Sequence, residues 1–254
     1  MKPMSDQENN TKSVIQSFDY TFENENLIDI LSQTGEVGLD YMLDIANASA
    51  IIKDIPVLGL IVSGTKTIAN IRNYVLANKV LKFFYGIKDV SIERRQKFAE
   101  EYCKENREDT ATALLSILDR LNNHNHVSII CHLMQAKMKE KISIAEFNRA
   151  VLALERTSYT DVNQLSKFTE DYYEEGLAEA FESAGLVYQS VIDNGKAVSD
   201  SDRGAKMRLS PTGRILLVYG LNVENIAYTP RITEVKSSSH WDTLGDAQVI
   251  LVKE

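Results

Sequence analysis

The sequence predicts a mainly α-helical protein, with a helical bundle over residues 1–157 and a small α+β domain over residues 158–254. Through the first 157 residues, apolar side chains recur every three or four positions, which is the spacing of a helix that buries one face. Strand-like runs of apolar residues occur only from residue 185 onward, between polar stretches. The composition, 44% apolar and 25% charged residues over 254 residues, is typical of a folded chain with a substantial core.

The first part of the chain is predicted to be helical in several pieces. Residues 11–54 form two or three of them, because Gly35 and Gly38 interrupt the helical pattern. The next helix begins near Pro56, since proline is favoured in the first turn of a helix. Its apolar stripe continues almost to Gly86, which predicts a helix over residues 55–85.

The middle of the chain has the clearest helix signals. A charged helix over 91–105 is predicted to turn Phe98 and Tyr102 toward the core. Ser143 and Glu146 have the spacing of a capping box, in which each side chain bonds to the other residue's backbone N–H. The other helices predicted here are 111–121, 126–139 and 143–156, with a turn at 122–125.

The C-terminal part changes character. Ser210 followed by Pro211 predicts a helix start, and Gly220 is suitably placed to end that helix. The remaining predicted elements are helices at 161–168 and 169–184 and strands at 185–192, 207–209 and 248–252.

Residues 142–220 resemble a winged-helix domain, in which helices are followed by two strands that form a wing. The segments "SAGLV" at 183–187 and "MRLSPTGRIL" at 207–216 carry the resemblance, which covers about a third of the chain and is not specific to one family. It implies that helix 169–184, before the wing, is the element that often binds DNA. That helix has no lysine or arginine, and its acids are Glu170, Asp171, Glu174, Glu175, Glu179 and Glu182. Because phosphates repel such a helix, we expect it to bind a protein and not DNA.

The net charge of −8 is distributed unevenly. Residues 1–50, the acidic head, have a charge of −7, and residues 66–107, the basic stretch, have a charge of +5. The total excludes a uniformly basic nucleic-acid-binding surface. Either the head docks on the basic stretch, or the basic stretch serves a partner.

Few residue types with catalytic or metal-binding chemistry are close together in the sequence. His124, His126 and His132 cluster near Cys131, but Cys131 and His132 point about 100° apart on a helix. A metal site needs three or four converging ligands, so we expect neither a metal nor a catalytic residue here. Cys103 and Cys131 are predicted to be reduced thiols, and no cofactor is expected.

Helix 55–85 has the most unusual pattern. Small polar residues lie opposite its apolar face, and basic and aromatic residues follow in its second half. One interpretation is a central helix buried on both sides; the other is a helix that contacts a membrane surface or a partner. The candidate residues for such contact are Leu58, Ile61, Val62, Ile68, Arg72, Lys79, Lys82, Phe83 and Phe84.

These observations predict a non-enzymatic, bacterial-type interaction or regulatory protein that acts through protein–protein contacts. Its N-terminus does not resemble a secretion signal, and its longest apolar run, residues 55–62, is too short to cross a bilayer, so we expect a cytoplasmic protein. One alternative is a peripheral effector at the inner face of the membrane that exposes helix 55–85. A second alternative is a winged-helix transcriptional regulator. The sequence is also compatible with a homo-oligomer.

Overall fold

The structure is a computed structural model that describes residues 4–24, 31, 55–63, 69–169, 175–190 and 206–223. Within these residues the protein is mainly helical and has a single small sheet of two strands. The predicted helical class is therefore confirmed.

Seven helices form the first part of the described chain. They are α1 (Met4–Phe22), α2 (Pro56–Ser63), α3 (Ala69–Ile87), α4 (Ile92–Asn106), α5 (Thr110–Arg120), α6 (His126–Met138) and α7 (Ile144–Glu155). The helices predicted between 91 and 156 agree with α4 to α7 to within one or two residues. The predicted helix 55–85 corresponds to α2 and α3, and residues 64–68 between them lie outside the described residues. Most of the predicted pieces over 25–54 also lie outside them.

The helix starts follow the predicted capping chemistry. The backbone N–H of Glu146 donates to Ser143 Oγ at 3.2 Å, and the Ser143 N–H donates to Glu146 Oε2 at 2.8 Å, which completes the capping box. At the start of α5, the Asp109 carboxylate accepts from the Thr112 N–H at 2.9 Å. Local hydrogen bonds therefore set these two helix boundaries.

The later part of the chain combines short helices with the sheet. Its elements are α8 (Tyr159–Val162), a 3₁₀ helix (Leu165–Thr169), α9 (Glu175–Ser183), β1 (Val187–Ser190), β2 (Lys206–Leu209), α10 (Pro211–Ile215) and a π-helical turn (Leu216–Gly220). The strands are antiparallel, with Val187 opposite Leu209. The predicted helix 161–168 was wrong in its continuity, because α8 and the 3₁₀ helix replace it. Residues 170–174 and the predicted strand 248–252 lie outside the described residues.

The two sequence segments that suggested a wing contact each other directly. The Ser210 N–H donates to Leu186 O at 2.9 Å, and Ser210 Oγ donates to Gly185 O at 2.7 Å. Ser210 Oγ also accepts from the Gly213 N–H, which caps α10. A side chain at Gly213 would overlap the Leu186 carbonyl, so this approach requires glycine.

Buried side chains from both predicted domains belong to one contiguous hydrophobic cluster. The π-helical turn packs on α6, where a Cβ at Gly220 would lie 2.8 Å from Ile129 Cγ2. At the other end, α1 packs through aromatic rings, and Phe18 lies 4.9 Å from Phe84 between ring centroids. The described part of the acidic head therefore docks on the basic stretch through apolar contact.

Candidate functional site

The residues predicted to contact a membrane or partner through helix 55–85 are mostly in the core. Leu58, Phe83 and Phe84 are fully buried, and Ile61 is nearly so. Lys82 is half-buried, and the side chains of Val62 and Ile68 lie outside the described residues. The apolar face of α2 and α3 therefore covers the core in this conformation, and membrane contact through it would require the face to leave the core.

Two cations of α3, Lys79 and Arg72, bind the C-terminal end of α5. Lys79 is buried, and its Nζ donates to Leu121 O at 2.6 Å and to Asp119 O at 3.3 Å. Burial lowers the pKa of Lys79, while the Asp119 carboxylate opposes that shift. Arg72 is exposed, and its Nε and Nη2 both donate to the Asp119 carboxylate. Both cations are thus used within the molecule.

A third cation, Arg95, binds the end of α1. Its side chain is buried, and its guanidinium donates to Phe22 O and, at 3.3 Å, to Asn24 O. Burial lowers the pKa of Arg95. Two nearby acids oppose this shift, and Glu23 has the larger effect of the two. A cation at the last carbonyls of a helix satisfies orphan acceptors and complements the helix dipole. Arg95 therefore holds α1 against α4.

Asp19 lies on α1, partly buried near two other acids, Asp109 and Glu23. Burial is the main reason that the pKa of Asp19 rises to about 6, and the nearby charges of Asp109 and Glu23 add to it. Asp109 caps α5 with its carboxylate, so this charge is part of the helix start. We therefore expect deprotonation of Asp19 to weaken the docking of α1.

A groove of about 490 Å³ lies between α1, α2, α3 and α5. Its walls carry half-buried apolar side chains, and the Arg72–Asp119 ion pair lies at its edge. The lining residues are Thr11, Val14, Ile15, Leu60, Ile61, Arg72, Asn73, Leu76, Thr112, Leu115, Ser116 and Asp119. A second groove, of about 180 Å³, lies between α4, α5 and α7 and contains the Arg120–Glu155 ion pair.

Within the described residues, the histidines and cysteines do not converge on one site. His126 is buried against the Tyr159 ring, and burial lowers the pKa of His126. His132 Nδ1 lies 2.9 Å from Gly220 O, where it helps to hold the π-helical turn. Burial raises the pKa of Cys131 to about 12, so its thiolate is disfavoured. Cys103 is exposed on α4.

The described ranges contain neither a metal-binding cluster nor a helix suited to cross a bilayer. No group of three His, Cys, Asp or Glu residues there could hold a metal ion. Among the helices of the same ranges, none combines the length and the apolar character needed to cross a bilayer.

The described acids of the predicted partner surface form one exposed stripe on α9. Glu175, Glu179 and Glu182 are exposed, while Leu177 and Phe181 on the opposite side are buried. The spacing i, i+4, i+7 places the three carboxylates on one side of a helix. No lysine or arginine of the described residues lies within ion-pair distance of them. We call these three residues the acidic face; Glu170, Asp171 and Glu174 lie outside the described residues.

Comparisons with protein-family models, curated proteins and solved structures found no match for this chain.

Sequence reasoning missed Arg95, Asp19 and the groove. A signal for Arg95 was present, because it shares one helical stripe with Phe98 and Tyr102, where a charge has to be buried. No comparable signal exists for the groove, since its walls come from four helices that are far apart in the sequence.

Proposed function

We propose that this protein is a non-enzymatic interaction or regulatory protein that binds another protein through the acidic face of α9. The observation that carries the proposal is the exposure of Glu175, Glu179 and Glu182 on one side of a short helix, without a described cation beside them. Charged patches of this kind steer association and select a partner of opposite charge. The partner is therefore a protein with a basic surface.

The order α9, β1, β2, α10 supports a finer proposal, a winged-helix-like unit that recognises protein. In such a unit α9 holds the position of the helix before the wing. Its carboxylates repel phosphates, and duplex affinity depends on lysines and arginines that release counterions. The helix that would read DNA is therefore better suited to a basic protein.

Two matched double variants test this function. Glu179→Lys with Glu182→Lys reverses the acidic face, and Glu100→Lys with Glu105→Lys reverses two exposed acids of α4. Each tagged protein is purified from cells at low and high salt, and the bound proteins are identified by mass spectrometry. We expect a salt-sensitive basic partner that the α4 variant keeps and the α9 variant loses. The same bound proteins with both variants would exclude the acidic face as the binding surface.

A peripheral membrane effector is the second candidate, and the exposed side chains of α3 favour it. Tyr74 and Val75 are exposed beside Arg72, which combines aromatic, apolar and basic groups on one stretch. Exposing the buried apolar face as well, about six large side chains, would cost roughly 10 kcal/mol. Sedimentation with anionic vesicles tests this candidate, using the full chain and the chain without residues 1–50. If both stay in the supernatant, the membrane function is excluded.

A winged-helix transcriptional regulator is the third candidate, and it rests on the same order of elements. A DNA mobility-shift assay at two salt concentrations tests it, because phosphate contacts make affinity fall steeply with salt. We expect no salt-sensitive shift, since the acidic face repels the duplex.

A further inference from the structure

We propose that the groove between α1, α2, α3 and α5 binds a neutral amphiphile, with an alkyl chain on its apolar walls and an uncharged hydrogen-bonding head at the Arg72–Asp119 pair. This site is separate from the acidic face of α9 and does not depend on the function proposed above.

The walls of the groove provide an apolar surface for the chain. Each of the four helices contributes at least one aliphatic side chain: Val14 and Ile15 from α1, Leu60 from α2, Leu76 from α3 and Leu115 from α5. All five are half-buried, so part of their apolar surface faces the groove. Covering that surface with an alkyl chain removes it from water, which favours binding.

The edge of the groove favours a head without net charge. Arg72 Nε donates to Asp119 Oδ1 at 3.3 Å and Arg72 Nη2 donates to Asp119 Oδ2, so the two charges neutralise each other. A guanidinium has five N–H donors and a carboxylate has about four lone-pair sites, so the pair has further bonding capacity of both kinds. An amide or hydroxyl head can accept from Arg72 and donate to Asp119. A carboxylate or an ammonium head would meet one attracting and one repelling charge, so its own charge would stay uncompensated at this edge of the groove.

The size of the groove favours a small molecule over a protein. Its volume of about 490 Å³ lies within the range of roughly 300–1,000 Å³ that is usual for small ligands. A stable protein partner would instead cover about 800 Å² of this chain.

Binding at this place would also hold α1 on the rest of the molecule. Thr11, Val14 and Ile15 of α1 form one wall, and the other walls belong to α2, α3 and α5. The described walls of the groove come together only when α1 is docked, so a ligand that contacts all four of them stabilises the docked form. We therefore expect the ligand to raise the melting temperature as its concentration increases.

The test uses three probes with the same chain, octanamide, octanoate and octylamine, and the full-length protein. Binding is followed by calorimetry and by the melting temperature. We expect octanamide to bind most tightly. Leu76→Trp and Leu115→Trp, which fill the groove, should each weaken octanamide binding at least about tenfold. Leu152→Trp, at an exposed position outside this groove, is the control and should bind as the wild type does.

The head-group preference is tested by removing one charge at a time. In Arg72→Met the remaining carboxylate should make octylamine the preferred probe, and in Asp119→Asn the remaining guanidinium should make octanoate the preferred probe. Circular dichroism confirms that each variant is folded; should one groove-filling tryptophan prevent folding, the other decides. The proposal is overturned if octanamide does not bind, if the folded groove-filling variant binds as Leu152→Trp does, or if the order of the probes is the same in wild type, Arg72→Met and Asp119→Asn.

Discussion

Three cations of the basic stretch, Arg72, Lys79 and Arg95, use their charges differently from the acids of the acidic face. In the basic stretch, Arg72 binds a carboxylate, and Lys79 and Arg95 bind backbone carbonyls at the ends of helices. On α9, Glu179 and Glu182 are exposed, and no described cation lies within ion-pair distance of them. An excess of one charge in a segment of sequence is therefore a poor guide to a partner surface, because the fold can use that charge internally.

The largest expected effect comes from breaking the contact between Arg95 and α1. Arg95→Met leaves the carbonyls of Phe22 and Asn24 without their buried cation, so we expect a loss of about 3 kcal/mol in the free energy of unfolding. Urea denaturation measures it. Arg94→Met, at the exposed neighbouring position, is the matched control, and equal losses in both variants would contradict the assigned role of Arg95.

The second expected effect concerns the scaffold that presents the acidic face. Gly213→Ala places a methyl group against the Leu186 carbonyl, and we expect it to lower the free energy of unfolding by about 2 kcal/mol. Gly176→Ala, where no atom lies within 4 Å of the added Cβ, should instead stabilise α9 by about 0.5 kcal/mol. Thermal unfolding of both variants checks this difference in sign, and a destabilising Gly176→Ala would contradict it.

The third prediction concerns the pH dependence of the α1 contact. Because the pKa of Asp19 rises from 3.8 to about 6 on folding, the folded state binds more protons in this interval, and stability falls as pH rises through it. Asp19→Asn should therefore be more stable than the wild type above pH 6, by about 1 kcal/mol once the screening of a half-exposed group is considered. Urea midpoints at pH 3.5 and 7.5 measure the difference, which should vanish at the lower pH.

The smallest expected effect is on the acidic face itself. Glu179→Gln with Glu182→Gln removes two exposed charges, and we expect the free energy of unfolding to change by no more than about 0.5 kcal/mol. Urea denaturation of this double variant and of Arg95→Met compares the two losses in the free energy of unfolding. A loss similar to that of Arg95→Met would mean that these acids, like the cations of the basic stretch, are used inside the molecule.

Local signals in the sequence predicted much of the fold. The Ser143–Glu146 capping box and the Ser210–Pro211 helix start lie at the predicted positions, because each depends on hydrogen bonds within three residues. The inward positions of Phe98 and Tyr102 were also confirmed, since helical spacing alone determines which residues share a face. The predicted helix 161–168 failed because the 3₁₀ helix and α8 share an apolar pattern that does not distinguish one helix from two.

By itself the sequence determined the helical class, most helix boundaries and the acidic stripe of α9, since these follow from periodicity and local chemistry. The tertiary structure decided which charges face solvent. Arg95 contacts Phe22, which is 73 residues away in the chain, and Arg72 contacts Asp119, which is 47 residues away. Pairings over such distances depend on how helices pack, and packing is a property of the whole core, so no local pattern predicts them.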